Sequence, residues 1–514
     1  MSFTHTKSAV ILRETRNTVT LSEPGNAVIL SEASRLHRNA KSKNPGIARP
    51  VDTAQPFSIT ISTLFIAALA FALTGCNVGP KYTRPQVPAP PAFRGPDNTS
   101  VASDPASSIG DQKWSAIFHE PELQQLITTA LADNLDLRIA AQHILEQQAQ
   151  VRITRAQQFP QLSASLAGSG TNLPSSFVTT PPVDFGLSGS WTPDFWGLYR
   201  KQTEAQRDQL LAQQWAQRAV RVTLVQQVAT TYFQLRALDA QLAVAQDAVK
   251  ARQNSLDLTQ KLETGGAAPL SDVRQAEQLL YTATAEIPIL QQQIQQTENN
   301  LRLLLGQTPG AVAHTDPTAL APPPTDLPTG VPSQLLERRP DIEQAEAQLK
   351  AANANVGVAR AQFFPNLSLT GEAGAGGENF ANLFSAVIGT GTITQPLFEG
   401  GKLRGQLQLS EAQKQEMVLN YQKTILGAFR DVSNALIAAQ KTRQTREAQQ
   451  KLVAAAQDAT RLARIRYRGG ATSYLEVLTT DTNLFNAQLN LITAQQNEAD
   501  SLAQLYSALG GGWQ

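Results

Sequence analysis

Arg155-Ala156-Gln157-Gln158-Phe159-Pro160-Gln161-Leu162-Ser163 returns as Arg360-Ala361-Gln362-Phe363-Phe364-Pro365-Asn366-Leu367-Ser368, seven identities in nine positions at a spacing of 205. Two short segments do not agree to that extent by coincidence. At a spacing of 204, Gly265, Gly266, Ala267, Val273, Leu280, Leu305 and Gly306 meet Gly469, Gly470, Ala471, Val477, Leu484, Leu509 and Gly510. Registers one residue apart imply a small indel between them. The chain is therefore one unit written twice, over 114–310 and 333–514. A connector, 311–332, joins the copies and contains Pro322, Pro323, Pro324, Pro328 and Pro332. Internal repetition has to be recognised before any single element is assigned.

Working outward, each copy predicts helix, strand, strand, very long helix, turn and helix. Between Gly197 and Gly265 there is neither Gly nor Pro, and the stretch is rich in Ala, Gln, Leu, Arg and Glu. These are good helix formers, and the run spans on the order of 100 Å at about 1.5 Å per residue. The second copy runs from Gly405 to Gly469, with an interruption expected at Gly427. Such helices exceed the globular mean of about 11–12 residues and suit an elongated, coiled-coil-like assembly.

Between the helices the pattern changes to period two. Leu162, Ala164 and Leu166 alternate with Gln161, Ser163 and Ser165, and Leu367 and Leu369 alternate with Asn366, Ser368 and Thr370. Val183, Phe185, Leu187 and Trp191 oppose Asp184, Ser188 and Ser190, whereas Val387 to Pro396 alternates only weakly. These are strands with one apolar and one polar face, extensible to the roughly 10 residues of a membrane strand. A soluble antiparallel sheet is the other reading of the same pattern. Pro160, Pro193, Pro365 and Pro396 stand at the helix–strand junctions, where a missing donor is tolerated.

The chain carries 43 Lys/Arg, 42 Asp/Glu and one Cys among 514 residues. That excludes a polybasic nucleic-acid binder, a disulfide framework and a multi-thiolate metal site. Phe57 to Leu73 is an uncharged, mostly apolar run behind Arg35, Arg38, Lys41, Lys43 and Arg49, the grammar of an export signal. Leu73-Thr74-Gly75-Cys76 follows, and it resembles the lipobox of bacterial lipoproteins. Residues 1–75 are thus expected to be a leader and signal peptide, and 76–113 a linker lipidated at Cys76 by diacylglycerol and an N-acyl chain such as palmitate. No other cofactor is expected. With 8 basic and 4 acidic residues in the leader, the mature part is net about −3, again without nucleic-acid character.

Four strands cannot close a membrane barrel, for which about eight is the minimum, and open edges are not tolerated in lipid. If these strands are in the membrane, several chains share the barrel in a closed ring.

At this point Trp114-Ser115-Ala116-Ile117-Phe118, Asn134-Leu135-Asp136-Leu137, Arg339-Pro340-Asp341-Ile342 and the run Ala351 to Arg360 leading into Phe363-Phe364-Pro365 carry a resemblance. With the lipobox, they resemble the TolC/OprM family of outer-membrane efflux channels in its lipoprotein, NodT-like branch. The resemblance implies a mainly α fold with membrane β: a homotrimer with four strands per chain in a shared twelve-stranded β-barrel, continued by a long periplasmic α-helical barrel. It also implies a periplasmic adaptor and an inner-membrane pump, with the lipoprotein branch leaning toward the resistance-nodulation-division type. A non-conducting lipoprotein acting as a periplasmic spacer is the alternative.

On this resemblance the turns Thr264 to Pro269 and Arg468 to Ser473 lie at the periplasmic tip, with Asp272, Arg274 and Glu277 beyond one and Glu476 and Asp481 beyond the other. A carboxylate repeated around a ring attracts cations and shapes selectivity. By motif, Tyr467 matches the tyrosine before the turn, Leu475 an apolar constriction and Glu476 an acidic ring. Thr479 stands where the family usually has Asp, and Thr482 where the branch often has Arg. Catalysis has no constellation to stand on: His119, His143 and His314 are scattered, and Gly400-Gly401-Lys402-Leu403 lacks the spacing of a phosphate loop.

Overall fold

The computed structural model describes residues 78–101, 108–168, 183–313, 328–377 and 384–513. All lie in the second of two compact units, Ala67–Gln514. The 1–75 leader, Cys76, Pro322, Pro323, Pro324 and His314 fall outside the described residues.

A segment from Val78 onward carries two short paired strands, β1 (Phe93–Arg94) and β2 (Ser100–Val101). Helices α1 (Trp114–Ile117), α2 (Pro121–Asp133) and α3 (Leu135–Ala156) follow, then β3 (Gln161–Gly168), β4 (Val183–Trp191), α4 (Leu198–Thr264) and α5 (Leu270–Leu304). The second copy has α6 (Leu335–Arg338), α7 (Pro340–Ala361), β5 (Asn366–Gly377), β6 (Phe384–Thr394), α8 (Lys402–Arg468) and α9 (Tyr474–Ala508). The copies match in length: 22 residues in α3 and α7, 67 in α4 and α8, and 35 in α5 and α9. Helix α8 passes through Gly427 without a break. One glycine costs a helix about 1 kcal/mol, too little to end one whose Tyr421, Ile425 and Ala428 are buried beside it.

The duplication is also visible in how each copy closes on itself. Asn134 caps α3 by accepting from Leu137 N at 2.9 Å and donates its amide to Leu304 O at 2.9 Å. In the second copy Arg339, at the head of α7, donates to Ala508 O at 3.1 Å while pairing with Asp341 at 2.7 Å. Leu304 and Ala508 are equivalent positions, so both copies pin the start of one helix to the last turn of another. The glycine that follows is needed at each corner. Gly306 has φ +68°, and a Cβ there would lie 2.4 Å from Asp133 O; Gly510 has φ +82° and backs onto the Arg338 carbonyl.

The main core lies where α2, α4 and α9 meet, around Ile127, Val228, Tyr232, Leu235, Leu505 and Tyr506. From the sheet toward this core the helices pack in the order α3–α4–α7–α8, and from the core to the hairpin ends in the order α5–α4–α9–α8. The four long strands form one antiparallel sheet in the order β3–β4–β5–β6. Both strand pairs therefore leave the same end of the helices, as the junction prolines predict.

Candidate functional site

Two places combine exposure with organised chemistry: the sheet, and the hairpin tip at the far end of α4 and α8.

In the sheet, Ala164 pairs with Leu187, which faces Ala373, which faces Val387. That register gathers Leu162, Leu166, Phe185, Leu187, Trp191, Leu369, Val387 and Ile393 on one face. Leu162 is 86% exposed, Val387 84% and Ile393 73%. The opposite face carries Gln161, Ser163, Ser165, Asp184, Ser188, Ser190, Asn366, Ser368, Thr370, Glu372, Thr390, Thr392 and Thr394. The weak alternation in β6 is read from its neighbours: Ser385 and Gly389 share a face with Val387 and Ile393, while Ile388 falls on the polar face beside Glu372. Strands β3 and β6 end the order and run antiparallel to each other. A second copy's β3 could therefore continue the ladder of β6 in the same antiparallel sense.

The helices below repeat this two-edged layout. On one edge α3 exposes Leu135, Ile139, Leu145 and Ile153, and α5 exposes Leu270, Tyr281, Ile289 and Leu303. On the other edge α8 exposes Leu409, Leu419, Leu426, Leu452, Leu462 and Ile465. Apolar stripes of this extent mark association surfaces.

At the tip both turns close identically. Gly266 (φ +73°) and Gly470 (φ +68°) take the left-handed conformation that only Gly adopts cheaply. Gly266 donates to Glu263 O and Ala267 to Leu262 O, both at 2.8 Å; Gly470 donates to Tyr467 O at 3.0 Å and Ala471 to Arg466 O at 2.8 Å. A small core of Leu256, Val273, Ala276, Leu280, Ala463, Tyr474 and Val477 sits just behind.

Asp481 lies in this layer and not on a ring of free charge, which corrects its sequence-based reading. It is 7% exposed and is held by Arg252 of α4 at 2.9 Å and Arg464 of α8 at 2.5 Å. Arg252 also donates to Leu279 O of α5 at 2.9 Å and lies 4.7 Å from the Phe485 ring centroid. Three helices thus meet at one carboxylate, and Arg252 joins α5 to them. A buried charge survives only when paired, which is why Asp481 turns inward. Neither arginine stood out in the sequence. The available signal was Arg252 sitting on the Val249–Leu256 apolar stripe at helical spacing.

The other expected tip residues form a looser layer. Tyr467 donates to Asp272 at 3.5 Å and packs edge-on against Tyr474, 5.2 Å between ring centroids. Burial, then the Asp272 carboxylate, raises the Tyr467 phenol above its ordinary pKa. Glu476 pairs with Arg466 at 2.8 Å and accepts from the Thr472 hydroxyl. Glu277 pairs with Arg274 on its own helix at 2.7 Å, an exposed contact of small energetic weight. Leu475 is exposed. Thr479 and Thr482 donate to their own helix, to Leu475 O and Leu478 O at 2.8 Å each. Among the described residues no cluster of His, Cys, Asp and Glu is arranged to hold a metal ion.

Comparison with known proteins identifies the family. The family model described as "Outer membrane efflux protein" matches residues 126–307 and 331–511, one match per copy. The Escherichia coli "Cation efflux system protein CusC" is 36% identical over 455 residues, covering 87% of this chain and 98% of that protein. The Pseudomonas putida "Probable efflux pump outer membrane protein TtgC" is 37% identical over 474 residues, covering 88% and 96%. A crystal structure of CusC, described in terms of folding and transmembrane channel formation, aligns with a TM-score of 0.76 at 34% identity, covering 85% of this chain and all of that one.

Proposed function

Because the chain belongs to the outer membrane efflux protein family, we infer that it is the exit duct of a tripartite efflux system, a passive channel for small molecules across the periplasm and outer membrane. It acts as a homotrimer, with a periplasmic adaptor and an inner-membrane pump supplying the drive. The pump we propose is of the resistance-nodulation-division type. The observation that carries the duct is the four-stranded sheet with an apolar and a polar face and two open, antiparallel edges. In lipid such edges must be closed, and three copies close them into twelve strands with the polar faces inside. The apolar stripes on α3, α5 and α8 bring the helices of neighbouring copies together in the same ring. A spacer without conduction needs no polar inner face.

We assign gating to the hairpin tip. Arg252, Asp481 and Arg464 tie the α4/α5 hairpin to the α8/α9 hairpin within one protomer, and the contact of Tyr467 with Asp272 is a weaker link. Glu476 and Glu277 are left as the solvent-facing carboxylates, and Leu475 as the apolar constriction. A tip held by a buried charge pair opens when adaptor docking draws the hairpins apart. Lipidation at Cys76 adds a membrane anchor beside the barrel.

The test is conductance of the purified protein in a planar bilayer, with oligomer mass measured on the same sample. A trimer that conducts poorly is expected, and Asp481→Ala should raise its open probability. Removing one partner of a buried pair costs about 3–5 kcal/mol, enough to shift a closed state strongly. A monomer, or a trimer silent with and without Asp481, would discard the duct.

A further inference from the structure

We propose that Asp184 and Glu372 make the β-barrel end of the duct selective for cations, independently of the helical tip. The proposal rests on the trimeric duct reading and deepens it by naming the charge class favoured at the exit.

The sheet register settles which face each side chain occupies. Asp184 pairs with Gly376 and Glu372 with Ser188, and both acids share their face with Ser163, Ser165, Ser190 and Thr370. That face lies opposite Phe185, Leu187 and Trp191, so in a closed barrel it lines the lumen. Both carboxylates are exposed. They are the charged side chains of the four strands. They lie four residues apart along the ladder, roughly 14 Å at about 3.4 Å per residue, so they stand at two heights.

A second, independent observation is the charge of the surrounding chain. From 161 to 199 and from 361 to 401 the sequence contains no Lys, Arg or His, and its charged residues are Asp184, Asp194, Glu372, Glu378 and Glu399. Nothing in either hairpin supplies a compensating cation to the lumen wall. The rest of the molecule differs: at the tip Asp481, Glu277 and Glu476 are each paired with arginine. The barrel carboxylates, by contrast, have no Lys, Arg or His anywhere in their own hairpins.

Three copies place six carboxylates in two circles around the axis. Each circle projects a negative potential over about a Debye length, ~8–10 Å at 0.1–0.15 M salt, which concentrates cations and repels anions. Metal cations and protonated amines are favoured at the exit, and anionic solutes are retarded.

The experiment is the reversal potential of the full-length trimer in planar bilayers under a potassium chloride gradient near 0.1 M. Wild type is expected to prefer potassium to chloride, and Asp184→Asn with Glu372→Gln to lower that ratio toward one. A ratio unchanged by the double substitution but abolished by Glu476→Gln would overturn the proposal and assign selectivity to the tip. No current from wild type or from Asp481→Ala would instead reject the duct itself. Should the double variant fail to assemble, Asp184→Cys in the inserted channel, modified by a cationic methanethiosulfonate reagent, must lower the ratio; no change on modification would equally overturn the proposal.

Discussion

Asp500 on α9 shows how burial alone sets a carboxyl. Its Oδ1 is buried without a hydrogen-bond partner, and Gln496 reaches Oδ2 at a long 3.4 Å. Burial raises its pKa to about 7. The folded chain therefore keeps this proton between about pH 4 and 7, while the unfolded chain releases it. Its contribution to stability is largest below about pH 4, falls as pH rises toward 7, and is flat above. Asp500→Asn should therefore gain melting temperature over wild type progressively from pH 4 to pH 7, with no further gain at pH 8. Parallel curves for the two proteins would refute this. Asp481 shows a different solution, a buried carboxylate paired with two arginines. Its identity as an acid beyond the turn was legible in the sequence. Its burial was not, because Arg252 lies 229 residues away and no local pattern links them.

At the scale of elements, hydrophobic period was a reliable guide. Polar and apolar alternation in β3, β4 and β5 assigned their faces correctly because a pleated strand alternates sides without exception. Helix lengths followed from the absence of Gly and Pro over α4. Gly427 misled because a break depends on packing as well as propensity. The chain's end was also unreadable locally: Gly511 has no room for a Cβ, which would sit 2.3 Å from the Tyr506 ring. That lets Trp513 donate to Arg338 O at 3.3 Å and meet Trp215 edge-to-face beside Arg218. The strand faces yield a paired prediction. Leu166→Arg on the apolar face should cost about 2–4 kcal/mol of membrane stability, whereas Ser165→Arg on the polar face should be tolerated. Extraction with urea from membranes would compare them, and equal sensitivity would invert the face assignment.

For the whole molecule the two edges matter more than the interior. Leu303 is 68% exposed on α5 and Leu426 61% on α8. Burying a leucine contributes about 1.5–3 kcal/mol. Leu303→Asp with Leu426→Asp is therefore expected to shift native mass from trimer to monomer while circular dichroism keeps its helical signal. A trimer that persists unchanged would mean that the copies meet elsewhere. The segment after Cys76 ties into this architecture: Arg84 pairs with Glu346 at 2.8 Å and donates to Tyr421 OH at 2.9 Å, and Asn353 donates to Pro80 O at 3.0 Å. This strap across α7 and α8 had no periodic signal in the sequence, since its residues are held by partners and not by their own secondary structure.

The duplication, the length of α4, the faces of β3, β4 and β5 and the glycines of the two tip turns were legible in the sequence alone, because each rests on short-range sterics or on periodicity along a single segment. Which carboxylates are free and which are locked, how the first and last segments are fastened, and which edges must meet another copy were decided only by tertiary structure. Those properties depend on residues brought together across hundreds of positions, where burial and pairing set the energy and the chain's local pattern does not.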